Sequence, residues 1–302
     1  MAQHISVDFQ QLHPRRMSTV SNIIIRHLRR DKRFSALMMV VFRSLWSYRR
    51  LSRHGEPTRQ QRAEWLHAIC TAGLAAMDIR FAVVGPTPTS GLIVSNHLSY
   101  LDILTLSAIV PCVFVSKAEV ESWPIVGRFA RWAGCVFVER RTKGDAARKN
   151  TRVAEALLDG VIVVLFPEGR TTDSHQISRF HSTMLQPAID TSAFVTPCAI
   201  TYQLDDGSVE KEVCYWGDMT LWPHSMNLLG KRGIRARIAF GRSMPASGGR
   251  RDLSHALHGH VGQLYADLRA ELLQTTGLQR SASAVVRGHA EISPEKSASP
   301  HA

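Results

Sequence analysis

The chain has 302 residues, 44% of them hydrophobic, with 37 Lys and Arg against 25 Asp and Glu, a formal net charge of +12. That length suffices for a sizeable core, and the cationic excess points to polyanions: nucleic acid, an anionic membrane surface or phosphorylated substrates. The five cysteines (Cys70, Cys112, Cys135, Cys198 and Cys214) include no C-x-x-C pair, which argues against a disulfide scaffold or zinc ribbon and suits reduced core thiols.

The first residues are polar, lack a continuous apolar core, and give no sign of a signal peptide. Residues 22–53 differ. Arg26, Arg29, Arg30, Lys32, Arg33, Arg43, Arg49, Arg50 and Arg53 face a single acid, Asp31. Phe34, Leu37, Met38, Val41, Phe42, Leu45 and Trp46 lie between them at helical spacing. A basic belt joined to an apolar stripe predicts an interfacial helix. The stretch from Phe34 to Trp46 contains Arg43 and is too short to span a bilayer. After the break at Gly55 and Pro57, Trp65, Leu66, Ile69, Leu74 and Met77 predict a second helix over 58–78. The two read as an amphipathic hairpin preceding the main domain.

From residue 79 the texture becomes alternating strands and helices. Strands are expected at 79–84, 91–95, 113–116, 135–139, 161–166, 194–202 and 234–240. Helices are expected at 102–109, 123–133, 144–159 and 252–273. The alternation predicts an α/β domain with a mixed, mostly parallel sheet flanked by helices. Residues 278–302 lack periodicity and read as a disordered tail.

The apolar strand Leu92–Val94 runs into Ser95-Asn96-His97, and Asp102 follows His97 by five positions. One turn can bring the carboxylate onto one imidazole nitrogen, fixing the tautomer and leaving the other nitrogen to take a proton. The chain has no G-x-S-x-G elbow, so the simplest use of such a histidine is to activate a hydroxyl on a bound substrate. The strand Val161–Leu165 leads into Phe166-Pro167-Glu168-Gly169-Arg170. Lys117, Arg140 and Arg170 each follow an apolar strand, and three cations at strand ends suit a shared anion site. His224 reads as a loop histidine, because a lone histidine has little specificity.

In order, N-H-x4-D, then Gly134, Phe137 and Arg140, then Phe166 to Gly169, then the strand around Pro197 resemble the four blocks of the glycerophospholipid acyltransferase family, whose best-known members are the bacterial 1-acyl-sn-glycerol-3-phosphate acyltransferases. The resemblance covers about residues 79–205. With the changes of texture along the chain, the domains read as 1–78 (membrane-interface helices), 79–277 (acyltransferase) and 278–302 (tail). The resemblance further implies that His97 deprotonates an acceptor hydroxyl while Asp102 orients and charges it, and that Lys117, Arg140, Glu168, Gly169 and Arg170 hold an anionic head group. The donor would be acyl-CoA or acyl-carrier protein, with no acyl-enzyme, metal or cofactor. The acceptor would be a lysolipid, first of all 1-acyl-sn-glycerol 3-phosphate. The enzyme would lie peripherally on the cytoplasmic side of the inner membrane, against its anionic surface.

Two departures bear on the acceptor. Arg170 comes one place earlier than in the family's usual third block, and Phe180-His181-Ser182-Thr183 replaces a basic pair. A lyso-ornithine lipid or another lysolipid is therefore a second acceptor. A non-catalytic lipid-binding or nucleic-acid-binding protein is a different class of reading. The intact His97 and Asp102, and the absence of a nucleic-acid-binding motif, count against it.

Overall fold

The computed structural model describes residues 13–138 and 146–290, with side chains from 21 to 138 and from 151 to 274. The chain opens with α1 (His13–Leu51) and α2 (Arg59–Met77). Then come β1 (Arg80–Val84), β2 (Leu92–Ser95), α3 (Leu101–Ile109), β3 (Cys112–Lys117), α4 (Ala118–Glu121), α5 (Val126–Trp132) and β4 (Val136–Val138). The second half runs α6 (Ala146–Leu158), β5 (Ile162–Leu165), α7 (Gln186–Asp190), β6 (Phe194–Gln203), α8 (Val209–Glu212), α9 (Leu221–Leu229), β7 (Arg235–Phe240), β8 (Met244–Pro245) and α10 (Arg250–Ala290).

The strands form one mixed sheet in the order β1-β7-β6-β2-β5-β3-β4, with β8 beside β6. β6 runs antiparallel to β7 and β8; the other pairs are parallel. β2 and β5 are buried along their whole length. That is why both read as unbroken aliphatic runs, without the alternation of a half-exposed strand. Because β2, β5, β3 and β4 run in one direction, their C-terminal ends emerge at one edge. In open α/β sheets that edge faces the ligand crevice.

The N-terminal helices are part of this unit. Thr58 and Gln61 form a reciprocal cap that starts α2. Trp65, Leu66, Cys70 and Leu74 of α2 are buried in the same core as Leu92, Val113 and Leu101, and α2 packs on α3 and β3. Arg33 of α1 is buried: it pairs with Asp78 at 2.7 Å and donates to the carbonyls of Leu229 and Lys231. Arg29 donates to the Gly230 carbonyl, and Arg26 to Asn227. These carbonyls close the C-terminus of α9, where cations complement the helix dipole. Three arginines of the expected basic belt therefore fasten α1 to the domain.

The closing helix is longer than expected. In place of a tail from 278, the backbone stays helical to Ala290. Residues 278–290 contain no proline, and Leu278, Gln279, Arg280 and the alanines favour a helix, with Gly288 near its end. Residues 291–302 lie outside the described residues. Against the sheet, α10 packs on β6, β7 and β2.

Candidate active site

β2 ends in a rigid joint. The Asn96 side chain donates to the Ile200 carbonyl (3.0 Å) and accepts from the Ile200 N–H (2.8 Å), tying the end of β2 to β6. The chain then turns through His97, and α3 starts at Leu101. Asp102, in the first turn of α3, is wholly buried. Its Oδ2 lies 2.7 Å from His97 Nδ1 and also accepts from the backbone N–H groups of Leu98 (2.6 Å) and Ser99 (3.0 Å). Its Oδ1 accepts from the Tyr202 hydroxyl at 2.7 Å. A buried carboxylate is costly unless both oxygens are bonded, and here four donors share two oxygens.

Tyr202 lies one hundred residues from Asp102 and carries no motif. Burial first, and the neighbouring carboxylate second, hold its hydroxyl well above the usual phenol range. It therefore stays protonated and donates. Alternation along β6 puts Cys198, Ile200 and Tyr202 on one face, and a buried tyrosine hydroxyl needs a partner. Those are the sequence signals that could have found it.

His97 is held at three more points, one on its ring and two on its backbone. The Phe166 ring stacks on it, with centroids 3.9 Å apart and planes 9° apart. The Thr172 N–H donates to the His97 carbonyl (2.9 Å). The His97 N–H donates to Glu168 Oε1 (2.8 Å), while Glu168 Oε2 accepts from the Ser178 N–H (2.7 Å). Glu168 is buried, and burial raises its carboxyl above the ordinary range against the pull of those two backbone bonds. Both its oxygens are thus engaged behind the histidine. The turn closed by the Gly169 N–H on the Phe166 carbonyl aims the carboxylate at the backbone of His97. At φ 72°, Gly169 occupies the left-handed region that this turn requires.

The three cations do not share one status. Lys117 ends β3 and Arg170 follows β5, both exposed and both at the edge where His97 sits. Arg140 lies outside the described residues, two positions after β4 ends at Val138.

His97 Nε2 bonds to nothing among the described residues, and the side chain keeps 17% exposure. With Nδ1–H given to Asp102, Nε2 has its lone pair available for a proton. A thiol nucleophile has no support. Burial raises Cys198 and Cys214, near Asp102, to about 12, so both stay protonated at neutral pH. All five cysteines are free, and four are buried. His224 is no loop residue. It is buried in α9, with Nδ1 3.1 Å from the Tyr100 hydroxyl and Nε2 3.1 Å from the Cys214 carbonyl. Both nitrogens are therefore occupied structurally, and burial lowers its pKa.

A family model described as "Acyltransferase" matches residues 80–201, which contain the whole His97–Asp102–Glu168 cluster. The chain is 38% identical over 180 residues to the lyso-ornithine lipid O-acyltransferase of Pseudomonas aeruginosa, spanning 59% of this chain and 67% of that protein. The chain belongs to the acyltransferase family. This acyltransferase is also 36% identical over 156 residues to the 1-acyl-sn-glycerol-3-phosphate acyltransferase of Neisseria gonorrhoeae, spanning 51% of this chain and 60% of that one. With the lyso-ornithine lipid O-acyltransferase of Rhodobacter capsulatus it shares 31% over 201 residues, or 64% of this chain and 72% of the other. Its fold matches the crystal structure of the 1-acyl-sn-glycerophosphate acyltransferase of Thermotoga maritima, with a TM-score of 0.57 at 17% identity, over 83% of this acyltransferase and 98% of that chain. The enzyme class expected from the four blocks is thus the one the relatives carry: O-acyl transfer.

Proposed function

We propose that the enzyme transfers a fatty acyl group from a thioester, acyl-CoA or acyl-carrier protein, to the free hydroxyl of a lysolipid. The observation that carries this reading is the His97–Asp102 contact at 2.7 Å with Nε2 left open. Nε2 takes the proton as the hydroxyl oxygen attacks the thioester carbonyl. Asp102, anchored by Leu98, Ser99 and Tyr202, stabilises the imidazolium that forms. The tetrahedral intermediate expels the thiolate, and the imidazolium supplies its proton. No protein nucleophile takes part.

The acceptor we place first is 1-acyl-sn-glycerol 3-phosphate, its phosphate met by Lys117, Arg140 and Arg170 at the sheet edge. A second reading is favoured by the segment where the family's usual basic pair is missing. Phe180 is buried there, and the His181 N–H is committed to the Pro167 carbonyl. An amino-acid head group, as in a lyso-ornithine lipid, needs less positive charge than a phosphate. The test is acyl transfer by purified protein against a lysolipid panel, with both donor types. Product from 1-acylglycerol 3-phosphate supports the first reading, product from lyso-ornithine lipid alone the second, and product from neither sinks both.

The acceptor is a membrane lipid, and we propose that the enzyme works from the membrane surface. Among the described residues no helix is long and apolar enough to cross a membrane. Met39, Phe42 and Trp46 of α1 are 61–70% exposed, Ile24 and Leu28 extend the row, and Ile23 and Ile25 are exposed beside it. Large exposed apolar patches on otherwise polar proteins mark interaction sites, and a basic apolar helix suits an anionic bilayer surface.

A further inference from the structure

The segment between α4 and α5 breaks the usual rules of surface design. Trp123, Pro124, Ile125 and Val126 are four consecutive exposed apolar residues, with Ile125 at 72% exposure. Ile125 has φ 65° and ψ −64°, a γ-turn of the strained kind, closed by the Val126 N–H on the Pro124 carbonyl at 2.7 Å. For a β-branched residue this conformation is a genuine outlier. Such strain persists only where the surroundings impose it. The foot of the turn shows how. The Gly127 N–H donates to the Trp123 carbonyl at 2.9 Å. A Cβ at Gly127 would stand 2.2 Å from the Glu121 carbonyl oxygen, so only glycine lets the turn close so tightly on α4. Behind it, Phe129 and Trp132 pack with Trp65 and Tyr48. The tip is a rigid projection on a packed aromatic base.

This projection stands next to α1. Val41 and Leu45 of α1 line one cleft of about 590 Å³ together with Trp123, Pro124, Ile125 and Phe129. On the neighbouring stripe of α1 lie the exposed Phe42 and Trp46. The cleft thus joins two apolar surfaces into one. Arg43, Arg49 and Arg50 of α1 and Arg128 and Arg131 of α5 are exposed on the same two elements. None of the five pairs with a carboxylate among the described residues. Apolar tips beside five guanidinium groups that form no ion pair among the described residues, with Glu121 the one acid lining the cleft, are complementary to a surface that is anionic outside and hydrocarbon within.

We propose that the Trp123–Val126 turn is a second membrane-inserting element, which dips into the bilayer beside α1 and fixes the tilt of the catalytic edge over the lipid. This rests on the reading of α1 as an interfacial helix, and the two can fail separately. Lys117, at the sheet edge that carries His97, leads directly into α4 and so into the turn. Insertion of the turn would therefore set the distance between the bilayer and the site.

The test uses full-length protein with Ile125→Cys carrying an environment-sensitive NBD fluorophore. Phe42→Cys on α1 and Leu158→Cys on α6, both exposed, are labelled for comparison. Vesicles of phosphatidylglycerol and phosphatidylcholine should shift the emission at positions 125 and 42 to the blue, with quenching by spin-labelled acyl chains, and leave position 158 unchanged. In unlabelled protein, Trp123→Ser with Ile125→Ser should weaken vesicle binding about tenfold or more, since each large apolar side chain contributes above 1.4 kcal/mol when buried. A response at 42 without one at 125 overturns this proposal and leaves α1 as the interfacial helix. Silence at both overturns the membrane reading itself. A blue shift at 125 without vesicles, growing with protein concentration, would assign the turn to contact between two copies and equally overturn it.

Discussion

The catalytic edge and the outer face of α1 are built on opposite plans. At the edge, polar groups are buried and bonded several times over: Asp102 has four donors, and both Glu168 oxygens are taken. On α1 apolar groups are exposed, and the polar bonds serve mainly to hold the helix down through Arg26, Arg29 and Arg33. A fixed proton acceptor needs a rigid, water-poor setting, because misplacement of a reacting group is expensive. A surface that meets a fluid bilayer needs only area and charge. Damage to the first region should therefore stop turnover without touching lipid binding, and damage to the second should do the reverse.

The largest break is expected from His97→Ala, a loss on the order of 10⁴-fold in kcat with unchanged vesicle binding, measured by acyl-transfer assay and lipid co-sedimentation. Asp102→Asn keeps the shape but loses tautomer control, for up to roughly 10⁴-fold; near-normal turnover would reduce Asp102 to a helix-starting residue. Tyr202→Phe removes one bond to a buried charge, and a loss of roughly tenfold in kcat is expected. Because Asp102 would then be less neutralised, the acidic limb of the kcat profile should move to higher pH with little change in KM. A purely structural tyrosine would move stability and leave the profile alone. In the other region, Phe42→Ser with Trp46→Ser should weaken vesicle binding about tenfold or more, while kcat on detergent-dispersed substrate stays within a factor of two or so of the native enzyme.

The smallest effect concerns His224. Its pKa is lowered by burial from 6.5, so the folded state prefers the neutral ring. The stability this contributes is present above pH 6.5 and is lost as pH falls through the lower, folded value. A thermal-melt series should show native protein losing stability between pH 6.5 and that lower value more steeply than His224→Gln.

How legible each part was follows from how local it is. The strands of the parallel core announced themselves as aliphatic runs, and His97 with Asp102 lay within one turn of each other. Tyr202 did not, because its contact depends on β6 lying next to β2, which the chain reveals only through the sheet order. That Glu168 braces the His97 N–H depends on the turn around Gly169, a geometry the motif alone does not reveal. The arginines of α1 read as one belt, yet their roles diverge with what lies opposite: the end of α9 for Arg26, Arg29 and Arg33, the Trp46 ring for Arg50, solvent for Arg43 and Arg49. α9 itself was passed over because Pro223 falls in its first turn, where proline is tolerated.

The central claim is that the acyl group passes directly from donor to lysolipid, with His97 Nε2 taking the proton. The most direct measurement is rapid-quench intact-mass spectrometry of the enzyme mixed with acyl donor alone and then with lysolipid. The account predicts unmodified polypeptide at every time point, with acylated lipid appearing only after lysolipid is added. An acyl adduct that forms at least as fast as turnover and disappears on addition of lysolipid would contradict it.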